Sequence, residues 1–171
     1  MPFKYNFYCS AIVSCNSLGT IGVNNELLYK IPDDLKNFKK LTMGHYVIVG
    51  KNTYESIPNR LPGRKILLMT SNNNYKCYIH DDIKIFQNPT DVMDFVENKK
   101  ENEVFVIGGA SVYGQFWKYV NRIYMTYIFD DKPGDSYFTI DKPEQWSTTI
   151  ISTNKFNDLK YEYRIMDRNL V

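Results

Sequence analysis

Apolar residues fall in short bursts along the chain, and the spacing inside each burst predicts its element. The β-branched stretch from Phe7 to Ser14 reads as a strand that runs into a loop carrying Gly19, Gly22 and Asn24-Asn25. After Pro32, "DDLKNFKKLTMG" sets Leu35, Phe38 and Leu41 at helical spacing, offers Asp33 as N-cap and closes at Gly44. "HYVIVG" and "KILLMT" are buried strands bracketing a short helical turn at "NTYESI" and a loop at "PNRLPGR". "IKIF" predicts a strand, "NPTDVMDFVENKK" a helix starting near Thr90, "EVFVIGG" a strand, "ASVYGQFWKYV" a helix and "RIYMTYI" another strand. "WSTTIIS" and "YEYRIM", separated by "TNKFNDLK", predict a C-terminal hairpin. Strands alternating with helices call for an α/β fold, a mixed, mostly parallel sheet with helices on both faces and right-handed crossovers, in a single domain spanning 1–171.

Composition narrows the function classes. With 171 residues, 43 % of them hydrophobic and 23 % charged, the chain can build its own core without disulfides or a structural metal. The net charge of +2 comes from scattered residues, so nucleic acid is not an expected partner. No apolar run approaches the roughly 18 residues needed to span a bilayer. "MPFKYNFYCSAIVSC" interleaves polar residues where a secretion signal needs an apolar stretch, which points to a mature, cytoplasmic protein. Cys9, Cys15 and Cys77 form no C-x-x-C pair, and Cys9 and Cys15 on one strand would stand about 20 Å apart, so reduced thiols are expected. His45 and His80 belong to no metal-binding motif, and no metal site is expected.

The strongest chemical signal is "EVFVIGGASVYGQF", a strand ending at Gly108-Gly109 and opening a helix whose first amides are free to meet a phosphate. A plain tight turn would read the same way. "GHYVIVGKN" imitates a phosphate loop, but five residues separate Gly44 from Gly50 and Asn52 stands where a magnesium-binding hydroxyl belongs, which excludes nucleotide hydrolysis. Asp34 borders the apolar face of its helix, either looking into the core or merely complementing the helix dipole. Arg64, after the Pro62-Gly63 turn, could clamp a carboxylate; Lys51 and Asn52, with Thr70 and Ser71, could hold a phosphate or simply cap. Tyr113, Phe116 and Trp117 read as core.

Taken in order, "AIVSCNSLGTIG", "IPDDLKNFKKLT", "VIVGKNTYESI", "LPGRKILLMTS", "VIGGASVYGQF", "IYMTYI" and "GDSYF" resemble the dihydrofolate reductase family, from about Tyr8 to Met166. The resemblance implies one α/β domain with a central, mainly parallel eight-stranded sheet, and NADPH-dependent reduction of 7,8-dihydrofolate to tetrahydrofolate by a monomer, without metal. It makes Asp34 the carboxylate of the pterin pocket and Thr126 its support. Tyr29, at the position of the family's tryptophan near the water relay to N5, joins them in the catalytic set. Leu35, Phe38, Ile57 and Leu61 match the apolar walls, Ile12 and Ile107 carbonyls near the pterin, and Arg64 the arginine for the glutamate carboxylate. Ser14 and Ile21 would flank the nicotinamide. Gly108, Gly109, Ala110, Ser111 and Val112 would line the pyrophosphate, and Lys51, Asn52, Thr53, Thr70 and Ser71 the adenosine ribose phosphate. The chain departs from the family pattern at Leu28-Tyr29 for Pro-Trp, Ser14 for alanine, and Asn52 and Asn72 where basic residues are frequent.

Two alternatives frame this reading. The riboflavin-pathway pyrimidine reductase shares the fold but should lack the anchor at Pro32 to Leu35 and the "LPGRK" clamp. A non-catalytic NADPH-binding module would keep the cofactor residues and lose turnover.

Overall fold

In the computed structural model, which describes residues 3–72, 74, 75 and 83–169, parallel pairing dominates one large sheet. The chain runs through β1 (Tyr8–Asn16), β2 (Thr20–Val23), β3 (Glu26–Leu27), α1 (Pro32–Thr42), β4 (Tyr46–Gly50), α2 (Lys51–Ser56) and β5 (Lys65–Met69). It continues with β6 (Ile83–Phe86), α3 (Pro89–Asn98), β7 (Glu103–Gly108), α4 (Ala110–Phe116), β8 (Arg122–Ile128), β9 (Ser136–Tyr137), β10 (Trp146–Phe156) and β11 (Leu159–Arg168). The eight-stranded sheet has the order β10-β11-β8-β1-β7-β4-β5-β6, parallel from β8 to β6 and antiparallel where β11 joins β8 and β10.

Period-two alternation sorts the core onto two faces. Cys9, Ala11, Val13 and Cys15 of β1 join Val92, Met93 and Val96 of α3 and Val112, Tyr113 and Phe116 of α4. Ile12 turns the other way, into a cluster with Val47, Val49, Leu68 and Phe105 that packs against Phe38 and Leu41 of α1 and includes Tyr54 of α2. β7 lies between β1 and β4, so chain connections leave in opposite senses around it. The carboxyl ends of strands at such a switch form the crevice where α/β sheets bind ligands.

Four local expectations change. Asp33 is not the N-cap of α1: the helix begins at Pro32, whose fixed φ suits the first helical position, and Ile31 caps it without a side-chain bond. The glycine loop after β1 contains β2 and β3, and β2 pairs with both β3 and β9 in a separate three-stranded sheet. The helix in "ASVYGQFWKYV" ends at Phe116. "TNKFNDLK" is mostly strand: β10 and β11 pair from Trp146–Arg168 to Phe156–Leu159, leaving only Asn157 and Asp158 as the turn. Asn157 has φ +53, a conformation asparagine tolerates well. Cys9 and Cys15 are buried free thiols, the second pushed up to about 12 mainly by burial; Cys77 and His80 lie outside the described residues.

Candidate active site

Pro32 and the extended Ile31 fix where α1 starts, and this places Asp34 in its first turn against the sheet. The Thr126 hydroxyl donates to the Asp34 carboxylate at 2.5 Å, and the Ser14 hydroxyl acts on the same carboxyl to hold its pKa down. This convergence follows from sheet register. Ser14 of β1 pairs with Thr126 of β8, which pairs with Tyr163 of β11, so three polar side chains share one level and one face. Burial raises the Asp34 carboxyl above the usual aspartate range, and the two hydroxyls only partly offset it. Burial also raises the Tyr163 hydroxyl, with the charge of Asp34 adding to the effect.

Apolar side chains surround this anchor. Ile12, Phe38, Ile57, Leu61 and Ile107 belong to one cluster, while Leu35 of α1 is 48 % exposed. The Tyr113 hydroxyl donates to the Ile12 carbonyl at 2.7 Å, tying α4 to β1 beside the crevice.

Arg64 follows a run of left-handed residues, Asn59, Arg60 and Leu61, and the turn at Gly63 with φ +78. The resulting bend carries its side chain inward, to 8 % exposure. Its Nε and Nη1 have no hydrogen-bond partner among the described residues. Burial lowers its pKa, yet a guanidinium stays charged at any physiological pH. A buried, unpaired cation of planar fork shape is suited to a carboxylate supplied by a ligand.

At the carboxyl ends of β4 and β7 the backbone is stripped of side chains. Gly108 has φ +113, and its cis peptide bond leads to Gly109, the cap of α4. A Cβ at Gly109 would come within 2.9 Å of the Thr53 hydroxyl, and one at Gly50 within 3.0 Å of Val112. The starts of α2 and α4 therefore pack so closely that only glycine fits at these two positions. Ala110 and Ser111 are exposed and Val112 is buried. Lys51 opens α2 with its ammonium 5.3 Å from the Tyr75 ring centre, and the pairing of Gly50 with Met69 sets the start of α2 beside Thr70 and Ser71, which follow β5, while Asn52 is exposed. The Thr70 hydroxyl accepts from the Asn72 amide at 3.1 Å. Ile21 packs partly buried against the α3/α4 core.

Tyr29 is directed elsewhere. Its hydroxyl donates to Asp130 and accepts from Asn16, not from any group at Asp34, and burial with the Asp130 bond pushes it up to about 12. Asn16, Asp130 and Tyr163 drew no attention in the sequence. Alternation on β1 and β11 puts Asn16 and Tyr163 on the faces of Ser14 and Thr126, but which strands are neighbours is not a sequence property.

The dihydrofolate reductase family model matches residues 8–168. The dihydrofolate reductase of Bacillus subtilis is 33 % identical over 165 residues, covering 93 % of this chain and 94 % of that one. The dihydrofolate reductase of Buchnera aphidicola from Acyrthosiphon pisum is 31 % identical over 169 residues, covering 93 % and 98 %. Among solved structures, dihydrofolate reductase from Enterococcus faecalis complexed with NADP(H) and RAB-propyl shares the fold at TM-score 0.81 and 24 % identity, over 96 % of this chain and 98 % of that one. With one family model spanning both the Asp34 pocket and the glycine-lined crevice, this chain belongs to the dihydrofolate reductase family.

Proposed function

We propose that this chain reduces 7,8-dihydrofolate to tetrahydrofolate with NADPH, and that Asp34, Thr126 and Arg64 are its principal substrate-binding groups. The observation that carries the reading is a buried carboxyl held by the Thr126 hydroxyl, together with a buried guanidinium, that of Arg64, whose Nε and Nη1 have no hydrogen-bond partner among the described residues. The substrate offers the complement: two N–H donors at one end of the pterin and a glutamate carboxylate at the other.

NADPH, when bound, supplies the hydride that C6 of the pterin receives. The residues of the chain do the rest. Asp34 accepts hydrogen bonds from the 2-amino group and neighbouring ring nitrogen, which fixes the pterin face and favours a proton at N5. That proton makes the C6=N5 bond a better hydride acceptor; the N5 proton and the C6 hydride together complete the reduction. Thr126 holds one carboxylate oxygen so that the other is free for substrate, and Ser14 assists beside the nicotinamide with Ile21. Leu35, Phe38, Ile57 and Leu61 exclude water from the rings, and the Ile12 and Ile107 carbonyls edge the pterin. The pyrophosphate would meet the backbone amides that open α4 after Gly109, where the glycine backbone permits a close approach. Gly108 to Val112 would line it, with Lys51, Asn52, Thr53, Thr70 and Ser71 toward the ribose phosphate.

We take the acting species to be a cytoplasmic monomer; no helix among the described residues is long and apolar enough to cross a membrane. Mixing purified protein with NADPH and dihydrofolate should produce a dihydrofolate-dependent loss of reduced-nicotinamide absorbance. Binding of both ligands without that loss would overturn the assignment in favour of a non-catalytic module.

A further inference from the structure

Asp130 anchors both ends of the loop that carries β2 and β3. At the near end its carbonyl accepts from the Ser17 amide at 3.0 Å and the Ser17 hydroxyl at 2.7 Å. At the far end its carboxylate accepts a hydrogen bond from the Tyr29 hydroxyl. Asn16, 1 % exposed, completes the junction with its full bonding capacity. Its amide nitrogen donates to the Tyr29 hydroxyl at 3.2 Å and the Lys132 carbonyl at 2.7 Å, while its oxygen accepts from the Leu18 and Thr20 amides at 3.0 and 3.1 Å. The Tyr29 ring packs on the small cluster of Ile31, Ile128 and Tyr161, and Ile31 caps the helix that bears Asp34.

From this geometry we infer that Tyr29 is a positioning residue, whose hydroxyl, through Asp130 and Asn16, holds the 17–29 loop and the start of α1 in place for hydride transfer. It is not part of a proton path to the pterin. The inference rests on the proposed reduction, since the loop end and the Asp34 helix are the parts it aligns. Phenylalanine keeps the ring and its packing but removes the bond to a charged acceptor, so Tyr29→Phe should fold and lose only the tie. Hydrogen bonds to charged groups of this kind correspond to roughly ten- to hundred-fold in an equilibrium.

Two measurements test it. In the unliganded protein, amide exchange at Leu18 and Thr20 should quicken about tenfold or more in Tyr29→Phe and equally in Asp130→Ala, with no further increase in the double variant. Asp130→Asn, whose amide oxygen still accepts, should exchange nearly as the parent does. In single-turnover reduction, Tyr29→Phe and Asp130→Ala should slow hydride transfer to a similar degree without moving the midpoint of its pH profile, and Asp130→Asn should restore the rate. Unchanged exchange in Tyr29→Phe, additive effects in the double variant, or a shifted pH midpoint would overturn the inference. Exchange needs no turnover, so a parent protein that failed to reduce dihydrofolate would refute the proposed reaction while leaving the tie itself measured.

Discussion

Replacing Asp34 by asparagine should move activity and stability in opposite directions. The substitution keeps size and leaves Thr126 a partner, because its hydroxyl can donate to the amide oxygen or accept from the amide nitrogen. Either orientation loses something at the pterin: the free carboxylate oxygen becomes an N–H facing two donors, or an amide oxygen without charge. Turnover at neutral pH should therefore fall by about 10²-fold or more, the usual scale for lost acid–base and charge stabilisation. Stability follows the opposite course. The folded protein holds the Asp34 proton more tightly than an ordinary aspartate at 3.8, mainly through burial, so the carboxyl costs stability as pH rises above 3.8, and the full cost is present above its elevated folded value. Removing a buried carboxylate with only hydroxyl partners should gain on the order of 1 kcal/mol at neutral pH, a rise in Tm of roughly 2–4 °C for a chain of this size. The gain should vanish well below pH 3.8, where both states are protonated. Stopped-flow rates from acid to neutral pH, with thermal melts in the same buffers, provide both readouts, and activity should recover at low pH as the substrate protonates N5 itself. Asp33→Asn serves as the control: Asp33 is exposed, 3.9 Å from Lys36, and should change neither quantity appreciably. A fully active Asp34→Asn enzyme at neutral pH, or one that melts lower, would refute the reasoning.

Arg64→Leu should weaken dihydrofolate binding about ten- to hundred-fold, the scale of a charge-assisted pair, and leave analogues lacking the glutamate untouched; equilibrium titration of both ligands checks this. Lys51→Gln should raise the KM for NADPH and not for NADH, an effect that shrinks with added salt and is read from the cofactor ratio in steady-state assays. Ser14→Ala removes one of the donors that lower the Asp34 carboxyl, so the acid limb of the pH–rate profile should move to higher pH with little change in the plateau.

The order of strands and helices was legible because each burst of apolar residues has the length and period of its element, and a mainly parallel α/β sheet is the arrangement that buries such strands on both faces. Gly108-Gly109 and Asp34 were visible for similar local reasons: adjacent glycines after a strand, and a carboxylate on the edge of an apolar helical face. Their roles were not. Asp33 and Asp34 differ by one position, and whether Asp34 meets hydroxyls or water depends on where α1 lies on the sheet. The position of the hairpin turn at Asn157-Asp158 is not marked in the sequence, because β10 is an edge strand and its exposed polar run has no apolar alternation to separate it from a loop.

What the sequence determined by itself is therefore local: element type, approximate extent, and the residues able to carry charge or approach a phosphate closely. Tertiary structure decided the pairings. Ser14, Thr126 and Tyr163 become neighbours only because β1, β8 and β11 are adjacent and in one register. Arg64 becomes a buried cation whose Nε and Nη1 lack a hydrogen-bond partner among the described residues only after the left-handed turn folds it inward. Tyr29 meets Asp130 across 101 positions of sequence, and no local rule selects that partner. Periodicity and propensity act over a few residues, whereas a carboxylate's burial and its hydrogen-bond partners are properties of the packed whole.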